Sequence, residues 1–213
     1  MKIYPVIHVH EVDVHREVDI ARQHDVAGVF LIDHDRDDAR LMAAVAAVTH
    51  AHPGFFVGVN VIRRPLAAAI GVLESAFGDD LPVDAIWADF IDLDAPPAPT
   101  HWRGMHFGGV AFKHQPPVPL GDLPSVGAAA RDRADVVTTS GEGTGRAADP
   151  VRLRALREGL AGRPLALASG VTPDNIVDYR GLVDHVLVAS GIAGAEGMDE
   201  HKLATLMTKE GDS

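Results

Sequence analysis

The sequence predicts a single-domain (β/α)8 barrel over residues 1–213, with the fourth helix reduced or missing, and two observations carry that reading. Strand-like apolar runs alternate with helix-period segments from one end of the chain to the other. In the last third, three consecutive apolar runs stop at Ser-Gly. They are Asp135-Val-Val-Thr-Thr-Ser-Gly-Glu-Gly-Thr-Gly145, Leu165-Ala-Leu-Ala-Ser-Gly-Val-Thr-Pro173 and Val186-Leu-Val-Ala-Ser-Gly-Ile192. A barrel of this class builds its phosphate site late in the sequence, at successive strand ends. Glycine there lets a ligand approach the backbone, and a helix N-terminus offers free N–H groups and a positive dipole end.

Strands are expected at about 2–9, 28–33, 55–61, 85–91, 107–113, 134–139, 164–169 and 185–190. Helices are expected at about 13–24, 36–51, 65–77, 122–133, 150–161, 173–182 and 199–209. The chain enters its first strand directly from Met1-Lys-Ile-Tyr-Pro, without a signal-peptide pattern. Asp149-Pro150 and Thr172-Pro173 each set a capping side chain before a proline at the first helical position. Leu153, Leu156 and Leu160 supply the apolar stripe of the helix that follows Asp149. Between the fourth and fifth strands, Asp92-Leu-Asp-Ala-Pro-Pro-Ala-Pro-Thr-His-Trp-Arg-Gly-Met105 opposes a normal helix and reads as a loop or a single turn. No linker, low-complexity segment or second domain interrupts the alternation.

Composition narrows the function classes. The 213 residues suit one domain, and 46% apolar with 23% charged residues is ordinary for a globular chain. No apolar run reaches the roughly 20 residues of a membrane span. Cysteine is absent, which excludes disulfides, thiolate metal sites and a cysteine nucleophile and makes a cytoplasmic location the default. Nineteen basic against 30 acidic residues give a net charge of −11, and no basic stripe appears, so nucleic acid and anionic membrane are not expected partners. A homo-oligomer is compatible with the sequence. Of the twelve histidines, His15, His24, His50, His52, His185 and His201 fall on expected helices or helix ends and read as solvated.

The active face of a barrel lies at the strand C-termini, which selects the candidate residues. The phosphate-binding candidates are Gly141, Gly143, Thr144 and Gly145 after strand six, Ser169, Gly170 and Val171 after strand seven, and Ser190 and Gly191 after strand eight. Glycines at these turns also serve geometry alone. The three glycines of the sixth loop further permit a hinge that closes over the ligand. Lys113 and His114 end strand five: lysine there stabilises an enolate or phosphate oxygen, or forms a Schiff base if desolvated, and histidine moves protons near neutral pH. The simpler role for Lys113 is a pair with a core carboxylate such as Asp89. Asp89 sits within Ile-Trp-Ala-Asp-Phe-Ile, where a carboxylate must face the mouth or be paired. Lys113, His114 and Asp89 are therefore the catalytic candidates.

His8, His10, Asp33 and Asn60 are candidates for holding the rest of a substrate. His8-Val-His10 also invites a metal reading, since residues two apart on a strand face one side. A barrel metallohydrolase of that design needs ligands on strands six and eight, where this chain has Thr-Thr-Ser and Ala-Ser-Gly. No metal site and no cofactor are expected.

Val57-Gly-Val-Asn-Val-Ile62, Phe112-Lys-His-Gln-Pro-Pro117, Val137-Thr-Thr-Ser-Gly-Glu-Gly-Thr-Gly145 and Ala168-Ser-Gly-Val-Thr-Pro-Asp-Asn175 resemble, in order, the motifs of the BtpA family. The resemblance covers most of the chain and is weakest over 63–106. It implies a barrel of the ribulose-phosphate-binding type, the superfamily of phosphoribosylanthranilate isomerase and tryptophan synthase α. It carries Asn60, Lys113, His114, Gly141, Thr144, Gly145, Ser169, Gly170, Thr172 and Asn175 onto family motif positions. Asp89 departs from the asparagine common in relatives, and the eighth loop lacks their lysine-rich continuation. The leading expectation is an isomerase or lyase acting on a small phosphorylated metabolite, of phosphosugar or phosphoribosyl type. Two rivals stand beside it: a non-catalytic assembly factor of the photosystem I biogenesis kind, and a metal-dependent hydrolase using His8 and His10.

Overall fold

A computed structural model describes residues 1–94 and 101–211, and its eight parallel strands close into one barrel. The strands are β1 (Lys2–His8), β2 (Val29–Ile32), β3 (Val57–Asn60), β4 (Ala85–Ala88), β5 (Met105–Gly109), β6 (Val136–Thr139), β7 (Leu165–Ala168) and β8 (His185–Val188). They pair in sequence order, and β1 joins β8 with Ile3 opposite Val186 and Tyr4 opposite Leu187. The helices are α1 (Val14–Gln23), α2 (Asp38–Ala51), α3 (Leu66–Phe77), α4 (Leu123–Ala130), α5 (Pro150–Leu160) and α6 (Glu200–Gly211). A small hairpin of β9 (Ala193–Gly194) and β10 (Gly197–Met198) follows the barrel. No helix among the described residues is long and apolar enough to cross a membrane. Between β4 and β5 the described residues form no helix, in keeping with the proline content; residues 95–100 of that stretch lie outside the described residues.

Alternation on each strand separates two apolar layers. Tyr4, Phe30, Trp87 and Phe107 fill the barrel interior as edge-to-face rings, with centroids 5.1 Å apart for Phe30–Phe107 and 5.6 Å for Tyr4–Phe30. Gly58 makes room for them, because a Cβ there would stand 2.3 Å from the Phe30 ring. Val29, Leu31, Val57, Val59 and Val137 face outward and pack under the helices. Three aspartates close the bottom of the barrel by one repeated device. Asp84, Asp135 and Asp184 each precede a strand and accept an N–H from the first or second residue of the strand before it: Val57 at 2.8 Å, His106 at 2.8 Å and Leu165 at 2.9 Å. Burial works to raise the Asp184 carboxyl. The Arg157 hydrogen bonds and the Leu165 N–H outweigh it and hold the group below its ordinary range.

Helix starts follow the capping chemistry. Asp13, Asp37 and Asp149 accept N–H bonds in the first turns of α1, α2 and α5, and Pro150 occupies the first helical position. The expected helix over 173–182 is a correction: only one 3-10 turn forms, Ile176–Tyr179. Asn175 explains it by turning its side chain back onto the strand end, accepting from Thr172 N–H at 2.8 Å and donating to Gly170 O at 2.9 Å. Tyr179 then buries its phenol against Ala148, which holds the segment flat on loop six.

His185 is a second correction. It is no solvated helix-end histidine but lies 6% exposed inside the barrel, stacked on Tyr4 and edge-on to Phe107. Burial, with Lys2 nearby, pushes its pKa down to about 4, against a small opposing pull from Asp184. The unfolded chain therefore binds a proton that the folded chain refuses below pH 6.5. Stability contributed by His185 is complete above that value and is lost as pH falls toward 4, at up to about 1.4 kcal/mol per pH unit. Buried His106, also held low by desolvation, adds in the same direction. Urea unfolding at pH 7 and pH 5 is expected to show a smaller pH-dependent loss for His185→Gln than for the parent; equal losses would exclude His185 as the source.

Candidate functional site

The strand C-termini open into a cleft of about 1330 Å³, lined by residues from the loops that follow all eight barrel strands; Asn60, the last residue of β3, is buried and does not line it. Parity decides what meets it. Val6 and His8, Ile32 and His34, Trp87 and Asp89 share the inward face and line the cleft. Asp33 has the opposite parity and turns outward into a separate recess beside Asp37 and Asp38. Its carboxylate accepts the Asp35 N–H at 2.8 Å, sits 3.5 Å from Arg40 and lies 3.8 Å behind His10 Nδ1. The expectation that Asp33 holds substrate is thus corrected: it backs His10, and His34 takes the mouth position.

One wall of the cleft is built from loops six, seven and eight, stacked on one another through glycine. Gly170 has φ +77° and its Cβ would stand 1.9 Å from Arg146 O. Gly191 has no such φ, but its Cβ would stand 1.8 Å from Val171 O. Ser169, with φ +78°, is a non-glycine residue held in the left-handed region, a strain that clusters at functional loops. Its Oγ accepts Gly145 N–H at 3.3 Å and donates to Gly143 O at 3.4 Å, so loop six rests on loop seven. Ser190 Oγ lies 3.7 Å from the position a Gly145 Cβ would take. Thr144, Ser169 and Ser190 line the cleft. The N–H groups of Gly170, Val171, Ser190 and Gly191 have no hydrogen-bond partner among the described residues, while Ile192 N–H is consumed by Ala189 O. Gly141 is a correction: it turns away from the cleft into a smaller pocket shared with Arg152 and Leu156.

Lys113 and His114 lie beyond β5, which ends at Gly109; the expected continuation to 113 is broken by left-handed Ala111 and His114. The lysine reaches the cleft from a tied loop instead. Its N–H donates to Ser140 Oγ at 2.7 Å, and its Nζ donates to Thr144 Oγ1 at 3.3 Å. Burial lowers the Lys113 ammonium from its ordinary range, against an opposing pull from Asp89. No carboxylate lies within ion-pair distance of it among the described residues, so the expected pair with Asp89 does not form. Asp89 is held by other partners: Asn60 Nδ2 donates to its Oδ1 at 2.8 Å and Arg63 N–H to its Oδ2 at 3.4 Å. Gln115 fixes its backbone by donating to Asp89 O at 3.0 Å. His114 is exposed at the rim.

The facing wall carries three imidazoles. His34 stands edge-on to His8 with centroids 4.7 Å apart, and His10 lies 6.4 Å from His8 in a parallel plane. Glu11 bridges the pair, with oxygens 3.2 Å from His8 Nδ1 and 3.2 Å from His10 Nε2. Burial, then His8, His10 and Lys113, lower the His34 pKa, so its imidazole is neutral at pH 7. β1 ends at His8, so His10 joins the wall from the turn rather than from the strand. Among the described residues no group of three or more His, Asp or Glu side chains is arranged to hold a metal ion. Glu11, Trp87, Phe112, Gln115 and the β9–β10 hairpin complete the site and were not singled out by sequence; Trp87 was legible, being two residues before Asp89. The hairpin is pinned from below by buried Glu17, which accepts the Met198 N–H at 2.7 Å.

No protein-family profile matches the chain, and no curated protein sequence does. Solved structures match over nearly its whole length. Phosphoribosyl anthranilate isomerase from Thermus thermophilus superposes with a TM-score of 0.70 at 16% identity, covering 99% of this chain and 98% of that one. Thiamine phosphate pyrophosphorylase from Pyrococcus furiosus gives 0.63 at 15% identity, covering 98% and 94%. (S)-3-O-geranylgeranylglyceryl phosphate synthase from Thermoplasma acidophilum, solved with its substrate sn-glycerol-1-phosphate, gives 0.65 at 14% identity, covering 98% and 92%. At these identities the likeness shows the (β/α)8 barrel fold.

Substituting Gly170→Ala is expected to destabilise the fold by about 1–3 kcal/mol, from the left-handed φ and the clash with Arg146 O. Gly71→Ala, exposed in α3 with open space around it, is expected to stabilise by about 0.5–1 kcal/mol. Urea midpoints measure both; a neutral Gly170→Ala would mean that the loops are not stacked this tightly.

Proposed function

We propose that this chain binds a small phosphorylated metabolite, of phosphosugar or phosphoribosyl type, and acts on it as an isomerase or lyase. The observation that carries the reading is the convergence of Lys113, Thr144, Ser169 and Ser190 on one cleft wall, where the Ser190 N–H has no hydrogen-bond partner among the described residues. Hydroxyls and N–H groups are donors a phosphate dianion uses, and they act within a few ångströms. The overall charge of −11 is screened over about 8 Å and does not oppose binding at such a site. Three structural neighbours carry a phosphate compound in their names, one with sn-glycerol-1-phosphate bound, which supports the reading by analogy.

In this reading the phosphate anchors the ligand and leaves its reacting end between Lys113, Asp89 and the imidazoles. Asp89, oriented by Asn60, serves as the base. Lys113 meets the reacting end of the ligand, and His114, with His34 and His8, returns the proton. No cofactor enters this chemistry. The motif residues quoted above make a BtpA-like barrel our assignment of family, and a cytoplasmic enzyme of metabolism our assignment of place.

A thermal-shift series with phosphorylated and unphosphorylated sugars tests the ligand class. A ligand at about 100 times its Kd stabilises the native state by about 2.7 kcal/mol, a rise of about 5–10 °C for a chain of this size. The expected result is that ribose 5-phosphate and related esters raise the melting temperature while the parent sugars do not. Equal shifts, or none with any ester, would contradict the proposal. Once a turned-over ligand is in hand, Lys113→Ala is expected to abolish turnover while changing unfolding free energy by less than about 1 kcal/mol. Unchanged turnover would remove Lys113 from the mechanism.

A further inference from the structure

We infer that Lys113 is an imine-forming nucleophile and that the phosphorylated ligand carries an aldehyde or ketone carbonyl. The inference rests on the phosphate reading above and narrows its substrate class. The sequence holds four lysines. Lys2 begins β1 at the opposite end of the barrel, Lys202 donates to Ala193 O, and Lys209 pairs with Asp174. Lys113 alone lines the cleft.

Three features of its placement favour a free amine over a charged anchor. Its Nζ has one partner, a neutral hydroxyl on Thr144 at 3.3 Å. No carboxylate lies within ion-pair distance among the described residues, whereas the cleft carboxylate Asp89 is already engaged by Asn60. The lysine is half-buried in a loop held by Ser140 and flanked by two left-handed residues, so its position is fixed before a ligand arrives. Desolvation lowers its pKa in the same sense, and a desolvated lysine without a counter-ion is the form that attacks carbonyls.

In the step itself the Nζ lone pair forms a bond to the carbonyl carbon, and the carbonyl π pair moves to oxygen, which takes a proton. Nitrogen gives up one proton, and its restored lone pair then drives out that oxygen as water after a second protonation. The balance is one amine, one carbonyl and one proton giving one iminium and one water. The iminium withdraws electrons from the neighbouring carbon, which makes a C–H acidic or a C–C bond cleavable, and so serves isomerase and lyase chemistry alike. Thr144, the hydrogen-bond partner of Nζ, belongs to the phosphate wall, so the carbonyl sits a few bonds from the ester.

Reductive trapping tests this on the intact protein. The protein is incubated at pH 7 with dihydroxyacetone phosphate, glyceraldehyde 3-phosphate or unphosphorylated glyceraldehyde, each with cyanoborohydride, and mapped by peptide mass spectrometry. The same compounds are run in parallel by thermal shift. The expected result is a secondary amine at Lys113 in clear excess over Lys2, Lys202 and Lys209. It is formed from a triose phosphate, suppressed by inorganic phosphate and absent in Lys113→Gln. Thermal stabilisation by the esters without an adduct at Lys113 would overturn the imine and leave the phosphate reading. An adduct at Lys113 formed equally from glyceraldehyde and indifferent to phosphate would keep the nucleophile and overturn the phosphate reading. Labelling spread evenly over the lysines would overturn the imine, and neither binding nor adduct would overturn both.

Discussion

Three loops at the end of this barrel are packed so closely that two positions admit no side chain. Gly170 touches the carbonyl of Arg146 in loop six, and Gly191 touches the carbonyl of Val171 in loop seven. Interiors at this density do not deform continuously, so the contacts fix where each loop stands relative to the next. The remainder of the wall follows. Ser169 is pressed into a left-handed conformation, its hydroxyl meets loop six, and Thr144 is delivered to Lys113. Glycine thus acts first between protein backbones and only through them on a ligand: by turning the chain sharply, it leaves the N–H groups of Gly170 and Ser190 unspent.

The two walls of the cleft are electrically different, and this difference is what the site offers chemically. One wall holds unpaired donors and a desolvated lysine. The other holds three imidazoles, and burial, then His8, His10 and Lys113, lower the pKa of His34. A neutral imidazole accepts a proton that a charged one refuses, so the crowding of His34 by His8 and His10 suits it to receive one. Glu11 offsets part of that crowding by bridging His8 and His10. Between the walls stand Trp87 and Phe112, 5.9 Å apart at the ring centroids, which keep the floor apolar.

The barrel was legible because apolar strand-like runs and helix-period stripes are properties of local sequence, and capping pairs such as Asp149-Pro150 mark the starts. What was not legible depended on contacts distant in sequence. The segment 173–182 carries a cap and a proline, yet Asn175 and Tyr179 spend their polar groups on Gly170 and Ala148, and no helix propagates. Lys113 looked like a strand end because Phe112 and Val110 are apolar, but left-handed Ala111 breaks the strand. Placing Asp33 at the mouth overlooked parity: Phe30 and Ile32 point inward, so the even-numbered His34 follows them to the mouth. The same parity applied to His185, two residues before inward Leu187, puts it in the core rather than on a helix end. Of the residues named at the glycine strand ends, Thr144, Ser169 and Ser190 line the cleft, while Gly141 lines a separate pocket.

The central claim is that loops six, seven and eight form one anion site. A crystal structure grown from concentrated sulfate or phosphate tests it most directly. The account requires a tetrahedral anion within hydrogen-bond distance of the N–H groups of Gly170 and Ser190, with the Ser169 hydroxyl or Lys113 Nζ beside it. An anion bound by the imidazole wall instead, with those N–H groups left bare, would contradict it.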